Sequence, residues 1–269
     1  MKELQCELYN DNFQNYKRYN IPPAQLVIAV IPYNLSNNAF ASSPEWYVGG
    51  DNKNGESDKA NKSFFLTDEN FNINEYFHFC HKLLKKEPKQ VDSAPCMIVF
   101  CSFQQLYHVI ETAKKHGFNH HIPLIFVKKT SAQVLKSNMK IVGATEYGLV
   151  LYRDKLPKFR NNGKMILNWF EYHKDGKDIP KIHPTQKSVR LLKRLIEIFT
   201  DIGDVVIDPC AGSGSTLRAA YELGRNSYGF EVSRSFCRAA QEKMLNDMPY
   251  SLDYKVFEDK QYEQIALRR

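Results

Sequence analysis

The chain has 269 residues, of which 43% are hydrophobic and 25% are charged, a balance typical of a globular domain that can bury a core. No apolar run approaches the roughly 18 residues needed to cross a bilayer, and the first residues lack the apolar stretch of a secretory signal. We therefore expect neither a membrane-spanning nor a secreted protein. Six scattered cysteines without CxxC spacing favour free thiols in a reducing cytoplasm.

The net charge of +7 is concentrated in one part of the chain. Residues 128–187 contain 13 Lys and Arg against five Asp and Glu, a net charge of +8, so the remainder sums to −1. Such a segment is typical of a surface that binds a polyanion, although solvated Lys-rich loops are an equally good interpretation.

Short apolar runs alternate with helical patterns, which favours an α/β domain with a largely parallel sheet. Two polar stretches, 36–62 and about 129–181, look like insertions between core elements. Helices are predicted at 74–86, 103–115, 185–200 with Thr185 as N-cap, 215–223, and from a Ser233 cap to Met244. Strands are predicted at 25–31, 96–101, 122–127, 147–153, 204–208 and 227–231.

The most informative segment is DPCAGSGST at 208–216, between a predicted strand and a predicted helix. Its glycines let a ligand approach the backbone, and the free N–H groups of the helix start favour a polar or anionic group. The complete GxGxxG and GxxxxGK[ST] patterns are absent, which disfavours a plain NAD or ATP site. Glu231 ends the next strand, where an acid would bind a ribose diol, so an adenosine-type cofactor is favoured over a merely tight turn.

Two further segments carry chemical groups. His183, Thr185 and Lys187 lie in HPTQK, just before a predicted helix, and a helix cap alone would account for Thr185 but not for its neighbours. Residues 29–35, AVIPYNL, lie at the carboxyl end of a buried strand, where open α/β sheets bind ligands. A Pro-Tyr pair there offers a carbonyl to an amino group and a ring to a base.

His78, Cys80 and His81 lack zinc spacing, and we expect no metal site.

In this order the three segments resemble the β-arranged amino-methylating DNA methyltransferases, which modify the exocyclic nitrogen of adenine or cytosine. The resemblance covers about residues 8–244, and residues 145–153 look like the strand before the family's recognition region. The compact size and the Asn34-Leu35 ending are similar to orphan methylases of phages and prophages.

The resemblance implies a doubly wound, Rossmann-like α/β methyltransferase fold of seven strands with a reversed edge strand. Residues 1–128 would form the catalytic half, with an insertion at 36–62. Residues 129–181 would form the target-recognition region, and residues 182–269 the cofactor half.

The resemblance also implies S-adenosylmethionine as cofactor and double-stranded DNA as partner, held through the basic span 128–181. The resemblance is compatible with a homodimer and does not imply a cognate restriction endonuclease. We expect the protein to be located in a bacterial cytoplasm and to be encoded by a bacterial or phage gene. Tyr33 would stack on a base swung out of the duplex. The residues that would line the cofactor are Asp208, Ala211, Gly212 and Gly214. Glu231 would bind its ribose, and Phe230 and Asp11 would contact its adenine. Thr185 and Lys187 would bind its carboxylate end.

The catalytic tetrapeptide departs from the family pattern of Asp, Asn or Ser followed by Pro, Pro and an aromatic residue. Here it reads Val30, Ile31, Pro32, Tyr33. Ile31 keeps the backbone carbonyl that the second position contributes, but Val30 has no side-chain acceptor for an amino group. Losing such a positioned acceptor costs on the order of 10²–10⁴-fold in rate. Asn34 and Asp51 are weaker candidates for a replacement.

Several functions therefore stay open. We favour an adenine methyltransferase impaired by Val30, since the family's adenine enzymes usually have Tyr after Pro. The alternatives are a cytosine-N4 methyltransferase, a catalytically silent homologue that binds DNA and cofactor, an RNA methyltransferase, and a methylase that needs a partner chain.

Overall fold

An eight-stranded mixed sheet lies between two layers of helices in the computed structural model, which describes residues 4–33, 71–129, 133–136, 141–183, 185–246 and 248. A separate two-stranded sheet is formed by β5 (Gln133–Lys136) and β6 (Ile141–Gly143). The strands of the main sheet are β1 (Cys6–Tyr9), β2 (Leu26–Val30), β3 (Cys96–Cys101), β4 (His120–Lys128), β7 (Thr145–Tyr152), β8 (Trp169–Tyr172), β9 (Val205–Asp208) and β10 (Asn226–Phe230).

The strand order in the main sheet is β1-β10-β9-β2-β3-β7-β4-β8. The first five strands are parallel, β7 is antiparallel to both of its neighbours, and β8 is parallel to β4. The central strands are continuous apolar runs because both faces of the sheet are covered by helices. Because β7 runs antiparallel to its neighbours, its amino end lies at one edge of the sheet. The same edge holds the carboxyl ends of β2, β3, β4, β9 and β10.

The ladder between β2 and β9 stops early on this edge. Leu26 and Val27 pair with β9, whereas the pairing of β2 with β3 continues to Val30 opposite Phe100. The ends of β2 and β9 are thus free to diverge at the point where the chain winds outward in both directions, which is where doubly wound sheets bind ligands.

Each face of the sheet is covered by helices with an apolar side. Helices α1 (Ile73–Leu83) and α2 (Leu106–Lys115) pack in one core cluster, and α3 (Val189–Phe199) and α4 (Ser215–Glu222) pack in another. A short helix, α5 (Arg234–Ala239), continues as a π-helical turn over Ala240–Met244 and begins at the predicted Ser233 cap. A 3₁₀ helix over Phe13–Arg18 follows β1. All six cysteines are free thiols, and none of the helices in the described ranges is long and apolar enough to span a membrane.

Most predicted elements are confirmed, the strand at Cys96–Cys101 to the residue, and two features of the sheet are corrected. The sheet has eight strands, not seven, since β8 adds to its outer edge. The reversed strand, β7, lies between β3 and β4 and is not an edge strand. The segment 129–181, predicted as the recognition region, thus supplies two strands of the main sheet. The predicted insertion at 36–62 lies outside the described residues.

The start of α3 is also corrected, because Thr185 is not its cap. The helix begins at Val189 with Ser188 in the N-cap position. The cap bonds come from a distant residue: the Asp175 carboxylate accepts from the Val189 N–H at 2.9 Å and from the Ser188 hydroxyl at 2.7 Å. The segment 129–181 therefore fixes the first turn of a core helix.

We expect Asp175→Ala to lower the free energy of unfolding by about 1 kcal/mol, the usual contribution of a helix cap. Thr185→Ala is the matched control, because the exposed Thr185 makes no cap bond to α3 and its loss should cost little. Urea denaturation of the two variants measures the difference. A larger loss in Thr185→Ala than in Asp175→Ala would contradict this assignment of the cap.

Candidate functional site

The glycine turn joins β9 to α4 at the shared edge of the sheet. Gly212 has φ +50° and Gly214, in the N-cap position of α4, has φ +76°, the left-handed region that glycine enters without a steric cost. The Ala211 N–H donates to the Phe230 carbonyl at 2.9 Å, which ties the turn to the end of β10. A Cβ built on Gly212 would meet no atom closer than the His183 ring at 3.9 Å. Gly212 is only partly buried, and a side chain at this position would lie in van der Waals contact with the His183 ring.

The Glu231 carboxylate supports this turn directly. It accepts from the Gly212 N–H at 2.9 Å and from the Ser233 N–H at 2.7 Å. Burial raises the pKa of Glu231, and these two N–H groups oppose the rise. The acid predicted to hold a ribose is therefore already fixed beside the glycine turn.

Asp208, at the end of β9, is a buried acid with an unusual titration. Its side chain belongs to a residue that is 3% exposed. Burial raises the pKa of Asp208 to about 7, against the opposing effect of the Thr216 hydroxyl and the Cys210 N–H. The Cys210 N–H donates to its Oδ1 at 3.0 Å. Near neutral pH this acid is therefore divided between its two protonation states.

The HPTQK segment lies against the glycine turn. The His183 ring packs on Phe236 at 4.5 Å between centroids, and its Nδ1 lies 3.0 Å from the Thr185 hydroxyl. Burial, with help from the Lys187 charge, lowers the pKa of His183 to about 4, so the ring is neutral at pH 7. Gln186 fixes the segment through bonds to the Ile182 N–H and the Pro180 carbonyl, both 3.0 Å. Pro184 lies outside the described residues.

The predicted catalytic tetrapeptide, residues 30–33, is held by hydrogen bonds at both of its ends. The Ile31 N–H donates to the Phe100 carbonyl at 3.1 Å, and the Gln105 amide donates to the Pro32 carbonyl at 3.0 Å. Gln105 in turn accepts from the Ser102 N–H at 3.1 Å. Gln105 was not predicted as a site residue, although its place in a Ser-x-x-Gln capping box is a readable signal. Val30 brings no acceptor to this loop, and Asn34 and Asp51 lie outside the described residues.

Tyr33 and Lys187 come together at the next part of the edge. The Lys187 ammonium lies 5.9 Å from the centroid of the Tyr33 ring and 5.5 Å from that of Phe100. Burial raises the pKa of Tyr33 well above its usual value, so the phenol stays neutral. Lys187 also forms an ion pair with Glu146 at 3.0 Å.

Glu146 is the hub of a group that we call the Glu146 centre, formed by Lys128, Glu146, Tyr172 and Lys187. Lys128 pairs with Glu146 at 2.7 Å, and the Tyr172 hydroxyl donates to it at 2.7 Å. Burial alone would raise the pKa of Glu146. The charges of Lys187 and Lys128 outweigh this effect and lower the pKa to about 2. The carboxylate is therefore ionised. The sequence placed Glu146 in a family-like strand but indicated no role for it.

Two predicted cofactor residues have other partners. The Asp11 carboxylate, beyond the end of β1, accepts from the Asn12 N–H and the Asn15 amide, both at 2.7 Å, and from the Tyr19 hydroxyl at 2.9 Å. The Phe230 residue is 1% exposed, and its ring packs in the core against Tyr9, Tyr19 and Phe79. Phe230 is thus a packing residue in this arrangement, and contact with an adenine would require its ring to be uncovered.

The basic segment has two kinds of cation. Lys158 pairs with Asp201 and Asp204, and Arg153 donates to the backbone carbonyls of His81 and Lys85, so these charges stabilise the fold. Another group is exposed, and its members are Lys155, Lys164, Lys174, Lys177 and Lys181. The predicted polyanion surface thus depends on only part of the charge.

We expect the titration of Asp208 to be visible in the stability of the protein. Because folding raises its pKa from the usual 3.8 to about 7, its contribution is fully present below about pH 4 and is lost as the pH rises through about 7. The free energy of unfolding, relative to that of Asp208→Asn, should fall by roughly 4 kcal/mol over this range, at about 1.4 kcal/mol per pKa unit. Denaturation of both proteins at several pH values tests this, and parallel pH curves would contradict it.

The fold is similar to that of two solved structures. M1.HpyAVI in complex with S-adenosylmethionine aligns with a TM-score of 0.62 at 19% identity, over 89% of this chain and 98% of that one. The PvuII DNA methyltransferase, described as cytosine-N4-specific, aligns with a TM-score of 0.62 at 16% identity, over 97% of this chain and 91% of that one. These likenesses confirm the predicted Rossmann-like methyltransferase fold.

Two relatives found by sequence are described as methyltransferases. The type II methyltransferase M.MjaI of Methanocaldococcus jannaschii is 31% identical over 183 residues, which are 59% of this chain and 60% of that protein. The DNA adenine methyltransferase YhdJ of Escherichia coli K12 is 23% identical over 264 residues, which are 90% of this chain and 83% of that protein. The family model described as DNA methylase matches residues 24–242. The chain therefore belongs to the family of amino-methylating DNA methylases, whose cofactor is S-adenosylmethionine and whose substrate is DNA.

Proposed function

We propose that this chain methylates the exocyclic amino nitrogen of a DNA base turned out of the duplex onto Tyr33, with adenine preferred, and that Val30 impairs the transfer. One observation carries this proposal: the HPTQK segment touches both halves of the site. His183 lies next to Gly212 of the glycine turn, and Lys187 lies next to Tyr33 of the catalytic loop. A cofactor on the turn and a base on Tyr33 would thus be neighbours at one edge of the sheet.

The residues at the glycine turn fit the family's cofactor. Gly212 has no side chain and is only partly buried, so a ligand can approach its backbone closely. Glu231 and Asp208 supply carboxyl groups at the ends of adjacent parallel strands. When bound, S-adenosylmethionine supplies a methyl group on a sulfonium, which is an electrophile.

The two predicted contacts with the cofactor carboxylate differ in their surroundings. Thr185 keeps this role in the proposal, because its hydroxyl lies 3.0 Å from Nδ1 of His183, the neighbour of the glycine turn. The Lys187 ammonium instead pairs with Glu146 beside Tyr33. We therefore assign Lys187 to the base pocket in place of its predicted contact with the cofactor.

The catalytic loop provides half of what an amino nucleophile requires. The lone pair of an exocyclic amine is delocalised into the base, so two acceptors on its N–H groups are needed to direct the nitrogen toward a methyl group. The Ile31 carbonyl, held between the two hydrogen bonds of its loop, is one such acceptor. Val30 provides no second acceptor, and no negative charge to balance the charge that the nitrogen gains.

The preference for adenine is supported by Tyr33 directly after Pro32, and the relative YhdJ is described as an adenine methyltransferase. The fold does not decide between the bases, because the PvuII enzyme is described as cytosine-N4-specific. A second candidate function is a silent homologue that binds DNA and cofactor without turnover, which the identity of Val30 favours.

We expect Val30→Asp to transfer labelled methyl groups to unmethylated duplex DNA on the order of 10²–10⁴-fold faster than the protein itself, since it restores the missing acceptor. Val30→Ala is the control that changes the side chain without adding an acceptor. Mass spectrometry of the digested nucleosides then separates N6-methyladenine from N4-methylcytosine. Comparable rates for the unaltered protein and for Val30→Asp would contradict the impairment, and an absence of transfer by both would favour the silent homologue.

We expect Gly212→Ala to weaken S-adenosylmethionine binding by about tenfold or more, equivalent to about 1.4 kcal/mol or more. The added methyl group would project from the turn toward the His183 ring, at 3.9 Å, where we place the cofactor. Gly117→Ala is a matched control, because Gly117 also has a positive φ, +84°, with no atom within 4 Å of an added Cβ. Both variants should lose similar stability from backbone strain. Calorimetry showing equal affinities for the two variants would exclude the turn as the cofactor site.

A further inference from the structure

Two cations share one carboxylate oxygen beside the catalytic loop. The Lys128 and Lys187 ammonium groups lie 2.7 Å and 3.0 Å from the same Glu146 Oε1, so the two nitrogens are no more than 5.7 Å apart. The Tyr172 hydroxyl donates to the other oxygen of Glu146 at 2.7 Å. The carboxylate thus holds together two groups that would otherwise repel each other.

This pairing is needed because the groups are largely removed from water. The Lys187 side chain is 4% exposed, that of Glu146 is 12% exposed, and that of Lys128 is 26% exposed. A buried charge that loses its partner is strongly destabilised and either moves toward water or loses its charge. Without the negative charge of Glu146, Lys187 would therefore either move toward water or lose its charge, and in both cases a cation would no longer be held at this place.

The position of Lys187 matters because its ammonium faces the rings of Tyr33 and Phe100, at 5.9 Å and 5.5 Å from their centroids. A cation at this distance over an aromatic face is attracted by the ring. Phe100 is also the residue paired with Val30 across β2 and β3. The ammonium therefore lies beside the loop that we propose to be catalytic.

The four members of the Glu146 centre come from four different parts of the chain. Lys128 ends β4, Glu146 is in β7, Tyr172 ends β8, and Lys187 ends the HPTQK segment. Tyr172 belongs to the segment that we assign to DNA recognition. The centre is thus a direct physical link between that segment and Tyr33.

We propose that Glu146 is a positioning residue of the methyl transfer, which holds the Lys187 ammonium against the Tyr33 ring and so fixes the ring on which the target base stacks. This proposal rests on the function proposed above for Tyr33. It predicts that removing the charge of Glu146 impairs the transfer step itself and leaves cofactor binding unchanged.

The test compares Glu146→Gln with two other variants, each made in the Val30→Asp chain. Glu222→Gln is the matched control, since Glu222 is equally a buried carboxylate that pairs with two cations, Arg218 and Lys193, but on the last turn of α4. Tyr172→Phe removes one hydrogen bond and leaves both ion pairs of Glu146. We expect kcat to fall about 10²-fold in Glu146→Gln, which is the effect of misplacing a reacting group by about 1 Å. It should fall less in Tyr172→Phe and should not change in Glu222→Gln.

A second readout follows Lys187 without using activity. Acetylation of lysines by an active ester, mapped by mass spectrometry, should modify Lys187 severalfold faster in Glu146→Gln than in the parent or in Glu222→Gln. Calorimetry should give the same S-adenosylmethionine affinity for all of them. A purely structural role would lower the melting temperature of both Gln variants and leave kcat unchanged in both.

The outcomes separate the two proposals. If the Val30→Asp chain transfers no methyl groups, the proposed function fails, and the acetylation of Lys187 still shows whether Glu146 holds it. If the Val30→Asp chain transfers methyl groups and the addition of Glu146→Gln changes neither kcat nor the acetylation of Lys187, the present inference alone is overturned.

Discussion

The parallel pairing of β2 with β9 on one side and with β3 on the other is the constraint on which the site depends. It brings Asp208 and Val30, 178 positions apart in the numbering, to the same edge of the sheet. The ladder to β9 ends at Val27, whereas the ladder to β3 continues to Val30, so the ends of β2 and β9 are not paired with each other. The glycine turn and the loop at residues 30–33 therefore follow neighbouring parallel strands at one edge, where doubly wound sheets bind ligands.

The HPTQK segment connects these two loops, and it is fixed mainly by bonds to the segment before it. Gln186 bonds to Pro180 and Ile182, and Asp175 caps the following helix. Together with the Tyr172 bond to Glu146, these contacts make the segment 129–181 part of the architecture of the pocket. The region predicted to recognise DNA thus also helps to fix where His183 and Lys187 lie.

Local sequence patterns were sufficient for the elements whose stability is local. Six consecutive apolar residues predicted β3 to the residue, and Ser233 was recognised as a cap because its bond partner is three residues away. Strands β1 and β8 were missed because they are only four residues long and half-buried, so they show neither a buried run nor a clear alternation. The Asp175 cap and the Glu146 centre join residues 13 to 41 positions apart, a separation that a single sequence does not reveal.

Val30 is a residue that suits the packing of the fold but lacks the acceptor that the proposed reaction requires. As a β-branched residue at the end of a strand it suits the sheet, and it packs against the cluster that contains α3 and Phe100. Its side chain lies on the same face as that of Phe100, over which the Lys187 ammonium is held. Lys128, Glu146 and Lys187 carry a net charge of +1 here, while methyl transfer places positive charge on the attacking nitrogen. A carboxylate at position 30 would supply both an acceptor and a balancing charge, whereas valine supplies neither and leaves the packing intact.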